Sequence, residues 1–395
     1  MDFIKNRKTV FVGVSGGVDS SVSAALLKDQ GYNVVGVFIR TWTPDFIECT
    51  WRDERRDAMR VCAHLGIPFL ECDAEVTYKK GVADYMIEEY KQGRTPNPDV
   101  MCNREVKFGV FWDFAKKHGT DYIATGHYAI CEKTSSSLKA EKRYSFSRVL
   151  GRGGRDPVPD HSKKNISSRL KKSPDLSKDQ SYFLWTLKQE DLEHTLFPVG
   201  HLDKKEVRRL AKKYKIPVAE KKDSQGVCFL GPLDMKDFLK HYIEPKEGNI
   251  LDKNNKIIGS HDGAVFFTLG ERHGFKIFKN EDNNKPLYVV SKNIKNNTIT
   301  VSPKQDLTLA ISRTDGNNSG SIVNLINTNW IIELEMNKNY KCQIRYHGKL
   351  LDCKIKSCTG PTCAEVEFTT NVLVDSGQSI VFYDGDICLG GGVVR

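Results

Sequence analysis

Along the first 130 residues, short and almost purely apolar runs alternate with longer stretches in which apolar residues recur every three or four positions. TVFVGV (9–14) and NVVGVFI (33–39) carry almost no polar residue, as do parallel strands covered on both faces. PFLEC (68–72) is a third such run, and DYIATGHYA (121–129) reads as a strand entering a loop. Between them lie helical patterns: an Ala/Leu helix reaching about Gln30, residues 51–65 with Met59, Cys62 and Leu65 at core spacing, and Val76 to Gln92. Strand and helix alternation predicts an open parallel α/β sheet. Residues 132–172 break the pattern with Ser, Lys, Arg and Gly and no apolar period, predicting a loop or insertion. KDQSYFLWTL (178–187) resumes as a helix, and KKEVRRLAKKYKI (204–216) is a basic amphipathic helix. Asn- and Lys-rich turns then separate short β segments. In the last 75 residues alternation is clear: in YKCQIRYHG, Cys342, Ile344 and Tyr346 face one way, and Gln343, Arg345 and His347 the other. With turns at His347-Gly348, Asp375–Gly377 and Asp384-Gly385, this predicts a small antiparallel sheet or barrel with one polar face. No internal repeat is visible.

At 395 residues the chain exceeds one ordinary core, so two or three domains are expected. No run approaches the roughly 18–20 apolar residues of a membrane span. MDFIKNRKTVFVGV enters a strand almost at once, without a signal or transit pattern, so a soluble, unexported, cytoplasmic chain is expected. The net charge is +10, and residues 132–172 hold twelve Lys+Arg against four Asp+Glu, a local balance of +8. That excess suits a polyanionic partner; a solvated loop without a partner is the competing reading. The eleven cysteines show neither small-scaffold spacing nor any CxxC, which argues against a disulfide framework and a zinc ribbon.

VFVGVSGGVDSSVSAALL is a strand, a glycine turn and a helix opened by Ser and Asp. Gly16 and Gly17 let backbone approach an anion, the helix N-terminus offers N–H groups, and Ser15, Ser20 and Ser21 add hydroxyls. It is not a Walker A loop, because no Gly-Lys-Ser/Thr follows. Gly13, Gly16 and Gly17 miss the dinucleotide spacing, and the second strand ends in Ile39-Arg40 without a ribose-binding acid. The loop matches S-G-G-x-D-S of the ATP-pyrophosphatases as Ser15-Gly16-Gly17-Val18-Asp19-Ser20. A bare glycine turn with a serine cap would not need Asp19, whereas an acid facing a phosphate cradle suits the Mg²⁺ on a pyrophosphate. This loop predicts adenylation of a poor leaving-group oxygen and leaves the nucleophile open.

Two cysteines stand in polar stretches: Cys102 in NPDVMCNRE (97–105) and Cys228 in EKKDSQGVCFLG (220–231). With TPNPDVMCNREVKFG, TGHYA, KDQSYFLW, TLGERHGF and SGQSIVFYDGDICLGGGVV, they make the chain resemble the tRNA-specific 2-thiouridylase family from end to end, about 132–169 excluded. The resemblance implies an adenine nucleotide alpha hydrolase-like (ATP-pyrophosphatase) catalytic domain over 1–230, a small central domain over 231–304 and a C-terminal β-barrel-like tRNA-binding domain over 305–395. It implies 2-thiouridine synthesis at wobble uridine 34. Gly13, Val14, Ser15, Gly16, Gly17, Val18, Asp19, Ser20 and Gly126 would bind ATP, and Ile39 the adenine, where relatives often have Met. Asn97, Pro98 and Asp99 would meet the target base. Cys102 would be the catalytic thiol and Cys228 the persulfide carrier. Lys178, Asp179, Gln180, His127, Arg345, Tyr346 and Gln378 would contact tRNA.

The chemistry agrees. The C2 carbonyl of uracil is urea-like and resists attack, and adenylating its oxygen makes C2 electrophilic. A persulfide on Cys228 is more acidic than a thiol and so is ionised near neutral pH. Either it attacks C2 and Cys102 then releases the product, or Cys102 first liberates hydrosulfide. Both routes end in a Cys102–Cys228 disulfide for a reductant to reopen. Asp99, three residues before Cys102, is a candidate proton shuttle. Pro96, Asn97, Pro98 and Asp99 predict a loop around Cys102 rather than a packed element. The other nine cysteines read as structural, and two loop thiols fall short of the four ligands an iron–sulfur cluster usually takes. His127, after Thr125-Gly126, is expected to serve the site rather than the core.

The expected partners are tRNA and a sulfur donor, a cysteine desulfurase or sulfur-relay protein; oligomeric state has no sequence signal. The target nucleotide must turn outward into the pocket, held by Lys/Arg on 204–215 and on the polar face of the C-terminal sheet. The insertion should add salt-sensitive affinity. Two other readings compete: an amide-forming synthetase with the same loop, and a non-catalytic RNA-binding protein with a relict one.

Overall fold

The alternating half of the chain forms an all-parallel sheet in a computed structural model that describes residues 7–47, 51–133, 168–223, 234–278, 286–303, 320–360 and 362–395. The strands of this half are β1 (Thr9–Gly13), β2 (Asn33–Arg40), β3 (Phe69–Asp73), β4 (Tyr122–Ala124), β5 (Ala129–Lys133), β6 (Ser168–Lys172) and β7 (Thr195–Leu196). Five of them lie in the order β3-β2-β1-β4-β7, all parallel. The order reverses between β1 and β4, so the loops after those two strands part there and open a crevice at the carboxyl edge. The helices are α1 (Val18–Asp29), α2 (Trp51–Leu65), α3 (75–91), α4 (98–117), α5 (Gln189–Glu193), α6 (Lys204–Lys213) and α7 (Met235–Lys240).

Strand alternation sends Val10, Val12 and Val14 to a core with α1, α2 and α6, and Phe11, Val35 and Val37 to a second core with α4 and the barrel. Helix α2 buries Ala58, Val61, Cys62 and Leu65. Met59, expected in that stripe, lies instead on the open flank, 42% exposed. Cys62 fills the space left by Gly36, where any side chain would collide with its sulfur.

The central unit is an antiparallel sheet with one parallel pair: β8 (Gly248–Leu251), β9 (Ile257–His261), β10 (Lys276–Ile277), β11 (Leu287–Asn293) and β12 (Thr298–Pro303), in the order β10-β9-β8-β12-β11. Its apolar face joins α3 and α4 in one core: Phe267 and Val289 pack in the same cluster as Tyr78, Met86, Met101 and Cys102.

The C-terminal strands are β13 (Gly320–Trp330), β14 (Asn339–Gln343), β15 (Leu351–Gly360), β16 (Cys363–Val372), β17 (Ser379–Asp384) and β18 (Ile387–Val394). They run β13-β16-β15-β14-β17-β18, and β18 pairs back onto β13 to close a six-stranded barrel. Alternation is clear in β16, where Ala364, Val366 and Phe368 point inward. The hairpin β5–β6 of the first domain also pairs with the start of β18, Cys388 opposite Leu170. The catalytic sheet and the barrel are thus joined by backbone hydrogen bonds as well as side chains. Of the basic insertion, only the hairpin strands at its two ends lie within the described residues.

Candidate active site

The phosphate-type loop leaves β1 and turns back into α1. Gly16 has φ +72, and a Cβ there would stand 2.5 Å from the Glu54 carbonyl oxygen, so only glycine fits. Gly17 caps α1 without a side-chain bond, which leaves the first-turn amides to face the crevice. Ser15 is exposed and its hydroxyl lies 3.3 Å from that of Ser20. Ser21 does not serve the cradle as expected: it is fully buried, and its hydroxyl donates to the Gly17 carbonyl at 2.6 Å.

The loop after β4 presses on this turn. A Cβ on Gly126 would stand 2.7 Å from the Ser20 nitrogen and 2.9 Å from the Asp19 carbonyl carbon, so the backbones touch at the switch point. Ile39 packs over Gly13, at 3.6 Å from where a Cβ would be, with the Ala124 carbonyl oxygen at 3.8 Å. The expected ATP residues therefore meet in one place, an apolar wall at Ile39 and a backbone cradle at 15–20 and 126.

Asp19 faces this cradle but is held. Lys204 donates to both its oxygens, at 2.7 and 2.8 Å, and the Tyr128 hydroxyl donates to Oδ1 at 2.8 Å. Lys204 also pairs with Asp223, as do Lys178 and Arg208. Burial opposes ionisation of Asp223, yet the ammonium groups of Lys204 and Lys178 bring its carboxyl down to about 2. Two carboxylates and three cations thus form one chain along the mouth of the loop. Lys204, Arg208 and Lys178 face this chain, which leaves Lys205, Arg209, Lys212 and Lys213 as the exposed cations of α6. Lys204, Asp223 and Tyr128 were not among the residues singled out from sequence. Tyr128 lies inside TGHYA, but nothing in the sequence pairs position 204 with position 19. Among the described residues no three His, Cys, Asp or Glu side chains gather to hold a metal. A divalent cation here would rest on Asp19 and phosphate oxygens, after Lys204 released the carboxylate.

The segment predicted as a loop around Cys102 is a helix. Asn97 caps it, accepting from the Val100 amide at 3.2 Å, and Pro98 stands in its first turn. Both are helix-start signals: an Asx cap and a proline whose missing N–H costs nothing there. Asp99 and Cys102 are three apart and share one side of this turn. Cys102 is buried, 3% exposed, among Tyr78, Met101 and Val106. A π-helical stretch, Asn103–Val110, follows it directly. Burial raises the Asp99 carboxyl above its ordinary value, partly offset by Lys107. Burial, with a smaller part from the same Lys107, pushes His127 well below its usual value, so the ring is neutral at pH 7. His127 is itself buried, its Nδ1 2.7 Å from the Thr125 hydroxyl and its ring between Phe108 and Phe197.

Residues 178–187 were expected as a helix; they form turns with one 3₁₀ turn, Ser181–Leu184. Too many of their side chains bond to other elements for a regular helix to be kept. Gln180 accepts the Tyr128 amide with its side chain, and its own amide donates to the Tyr128 carbonyl. Asp179 is buried, accepting from the Ser173 and Ser181 amides and the Ser181 hydroxyl. Tyr182 donates to the Ser379 carbonyl; Phe183 accepts from Asn103 and packs on Tyr346, ring centroids 4.3 Å apart. This segment ties the phosphate loop to the cysteine helix and both to the barrel. Arg345 is exposed beside Gly270, and Gln378 accepts from the Asp375 amide. Cys228 lies outside the described residues, so its approach to Cys102 is not part of this geometry.

Residues 8–232 match the family described as tRNA methyl transferase HUP domain, 236–303 the tRNA methyl transferase PRC-barrel domain and 321–394 the aminomethyltransferase beta-barrel domain. The chain is similar to the tRNA-specific 2-thiouridylase MnmA of Listeria innocua, 37% identical over 98% of this chain and 94% of that protein. The same named protein of Halalkalibacterium halodurans is 38% identical over 98% and 94%. That of Francisella philomiragia is 37% identical over 99% of this chain and 100% of its own length.

Proposed function

The chain belongs to the tRNA-specific 2-thiouridylase family, and we propose that it makes 2-thiouridine at wobble uridine 34 of tRNA in an ATP-dependent sulfur transfer. The observation that carries this reading is the segment that links the two sites. One segment, 180–183, bonds both to Tyr128 beside Asp19 and to Asn103, next to Cys102 on its helix. An activating site and a thiol helix are thus tied to one another. Methyl transfer, the word in two of the family descriptions, makes no use of an anion cradle with a facing carboxylate; adenylation does.

The nucleotide would lie with its adenine on Ile39 and its phosphates on the amides of 15–20, near the Gly126 backbone. ATP supplies the adenylyl group that turns the uracil O2 into a leaving group, with pyrophosphate released. Asp19 would hold Mg²⁺ against the phosphates, and Lys204, displaced from Asp19, would keep its bond to Asp223. Asn97 and Asp99 face the base, and Asp99, its carboxyl raised by burial, takes and returns a proton there. The terminal sulfur of a Cys228 persulfide reaches C2 and AMP leaves. The Cys102 thiolate then attacks the Cys228 sulfur, freeing 2-thiouridine and forming the disulfide. In the other order, Cys102 attacks first and the hydrosulfide it frees displaces AMP. Either way a thiol reductant restores the pair. Lys178, Gln180, Arg345, Tyr346 and Gln378 form the RNA-facing set, and a sulfur-donor protein loads Cys228.

The test is direct. Wild-type chain is incubated with ATP, Mg²⁺, a persulfide source and unmodified tRNA, and sulfur in tRNA is measured by mass spectrometry. Cys102→Ala and Cys228→Ala should each lower thiolation by about 10³-fold or more. Thiolation that survives both substitutions refutes the mechanism. AMP released with a small carboxylate in place of tRNA points to the amide-forming synthetase.

A further inference from the structure

Three domains meet on a single carboxylate oxygen. Oδ2 of Asp375, in the turn between β16 and β17, accepts from the Thr95 hydroxyl at 2.9 Å, from Lys292 Nζ at 2.6 Å and from the Leu269 amide at 3.1 Å. Thr95 belongs to the catalytic domain, Lys292 and Leu269 to the central one, Asp375 to the barrel. The pair is sealed: the Lys292 and Asp375 side chains are 6% and 4% exposed. Lys292 spends further donors on the Gly93 and Phe267 carbonyls, at 2.9 Å each. Backbone closes the joint as well. The Thr95 amide donates to the Ser376 carbonyl at 2.7 Å, and Gly377, at φ +90, leaves no room for a Cβ over Thr95.

The position of this node matters more than its strength. Two residues after Thr95, Asn97 caps the helix that carries Asp99 and Cys102. Three residues after Asp375, Gln378 accepts the Asp375 amide, and Arg345 lies beside Gly270, next to Leu269. The node therefore sits between the base-facing turn and the surface assigned to tRNA. A buried ion pair is weak evidence for stability but sets register between elements, because its donors satisfy one another in one arrangement only.

We propose that Asp375 and Thr95 are positioning residues for thiolation. Asp375 fixes, through the Thr95 hydroxyl, where the 97–102 turn stands relative to the barrel, so that tRNA seated on the barrel brings its base to Cys102. The inference rests on the proposed function.

Thr95→Val removes the hydroxyl and keeps the shape; Thr95→Ser restores the hydroxyl. In the full chain, thiolation kcat, KM for tRNA and Tm are compared. Thr95→Val should lower kcat about tenfold, as a misplacement of well under 1 Å would, with KM within about twofold and Tm nearly unchanged. Thr95→Ser should return kcat to within about twofold of wild type. A second variant, Lys292→Met with Asp375→Leu, removes both charges together, so that neither is left buried alone. It should fold and show the same selective loss of kcat. Wild-type kcat in Thr95→Val, or a fall in Tm that tracks the fall in kcat and that serine does not rescue, overturns the inference. Absence of thiolation in the wild-type chain overturns the proposed function instead.

Discussion

Two lysine–aspartate pairs, one at the phosphate loop and one where the three domains meet, have opposite properties because of their surroundings. Lys204–Asp19 stands at the mouth of the phosphate loop with side chains 15% and 30% exposed, and each member has another partner, Asp223 or Tyr128. Lys292–Asp375 is closed among three domains. The first is an ion pair that water reaches, so its members can exchange partners at small cost. The second is desolvated, and a lone member would be stranded. The exchangeable kind stands where the proposed function brings a polyphosphate and a cation. The fixed kind joins the cysteine helix to the barrel, where the proposed function seats tRNA.

The contrast is open to breakage by stability measurements. Asp375→Ala should cost about 3–5 kcal/mol in urea unfolding, because Lys292 keeps its charge and loses its counterion. Gly126→Ala should cost about 1–3 kcal/mol, since its Cβ would press backbone at 2.7 Å, and calorimetry should show ATP binding weakened. Lys204→Met should cost no more than about 1 kcal/mol; a loss as large as that of Asp375→Ala would end the distinction drawn here. His127 gives the smallest effect. Its folded-state value lies well below the unfolded one of about 6.5, so the unfolded chain binds the extra proton as pH falls. Stability should therefore drop by about 0.7 kcal/mol between pH 7 and pH 6, and His127→Gln should remove that portion of the slope.

Much of this was legible in the chain. The apolar runs at 9–14 and 33–39 are strands of a parallel sheet because beyond their first residue they carry nothing polar for an open face. Ser15 to Ser20 and Gly126 meet as the motif order implied. Around Cys102 the expected loop is a helix, because Asn97 and Pro98, which also form turns, in that order open helices. The 178–187 stretch has a helix-like composition, but long-range bonds from Gln180, Tyr182 and Phe183 override local preference. The least legible features join distant positions. Nothing local in KKEVRRLAKKYKI distinguishes Lys204, which reaches Asp19, from Lys205, which meets solvent. No pattern announces that Asp375 will receive Thr95.

The strand shared between the sheet-bearing domain and the barrel sets a timetable for synthesis. β6 ends at Lys172, and β18, which covers it, begins at Ile387, about 215 residues later. At roughly 5–20 residues per second, the hairpin leaves the ribosome some ten to forty seconds before its partner exists. During that interval its outer edge is bare, the condition in which strands from different chains join. The waiting strand is SRLKK, with Arg169, Lys171 and Lys172 in five positions. Like charges along that edge would repel a second copy of the same nascent strand, and Lys171, which faces Glu132 within the hairpin, gains Asp386 as a second, closer partner once the C-terminal strand arrives.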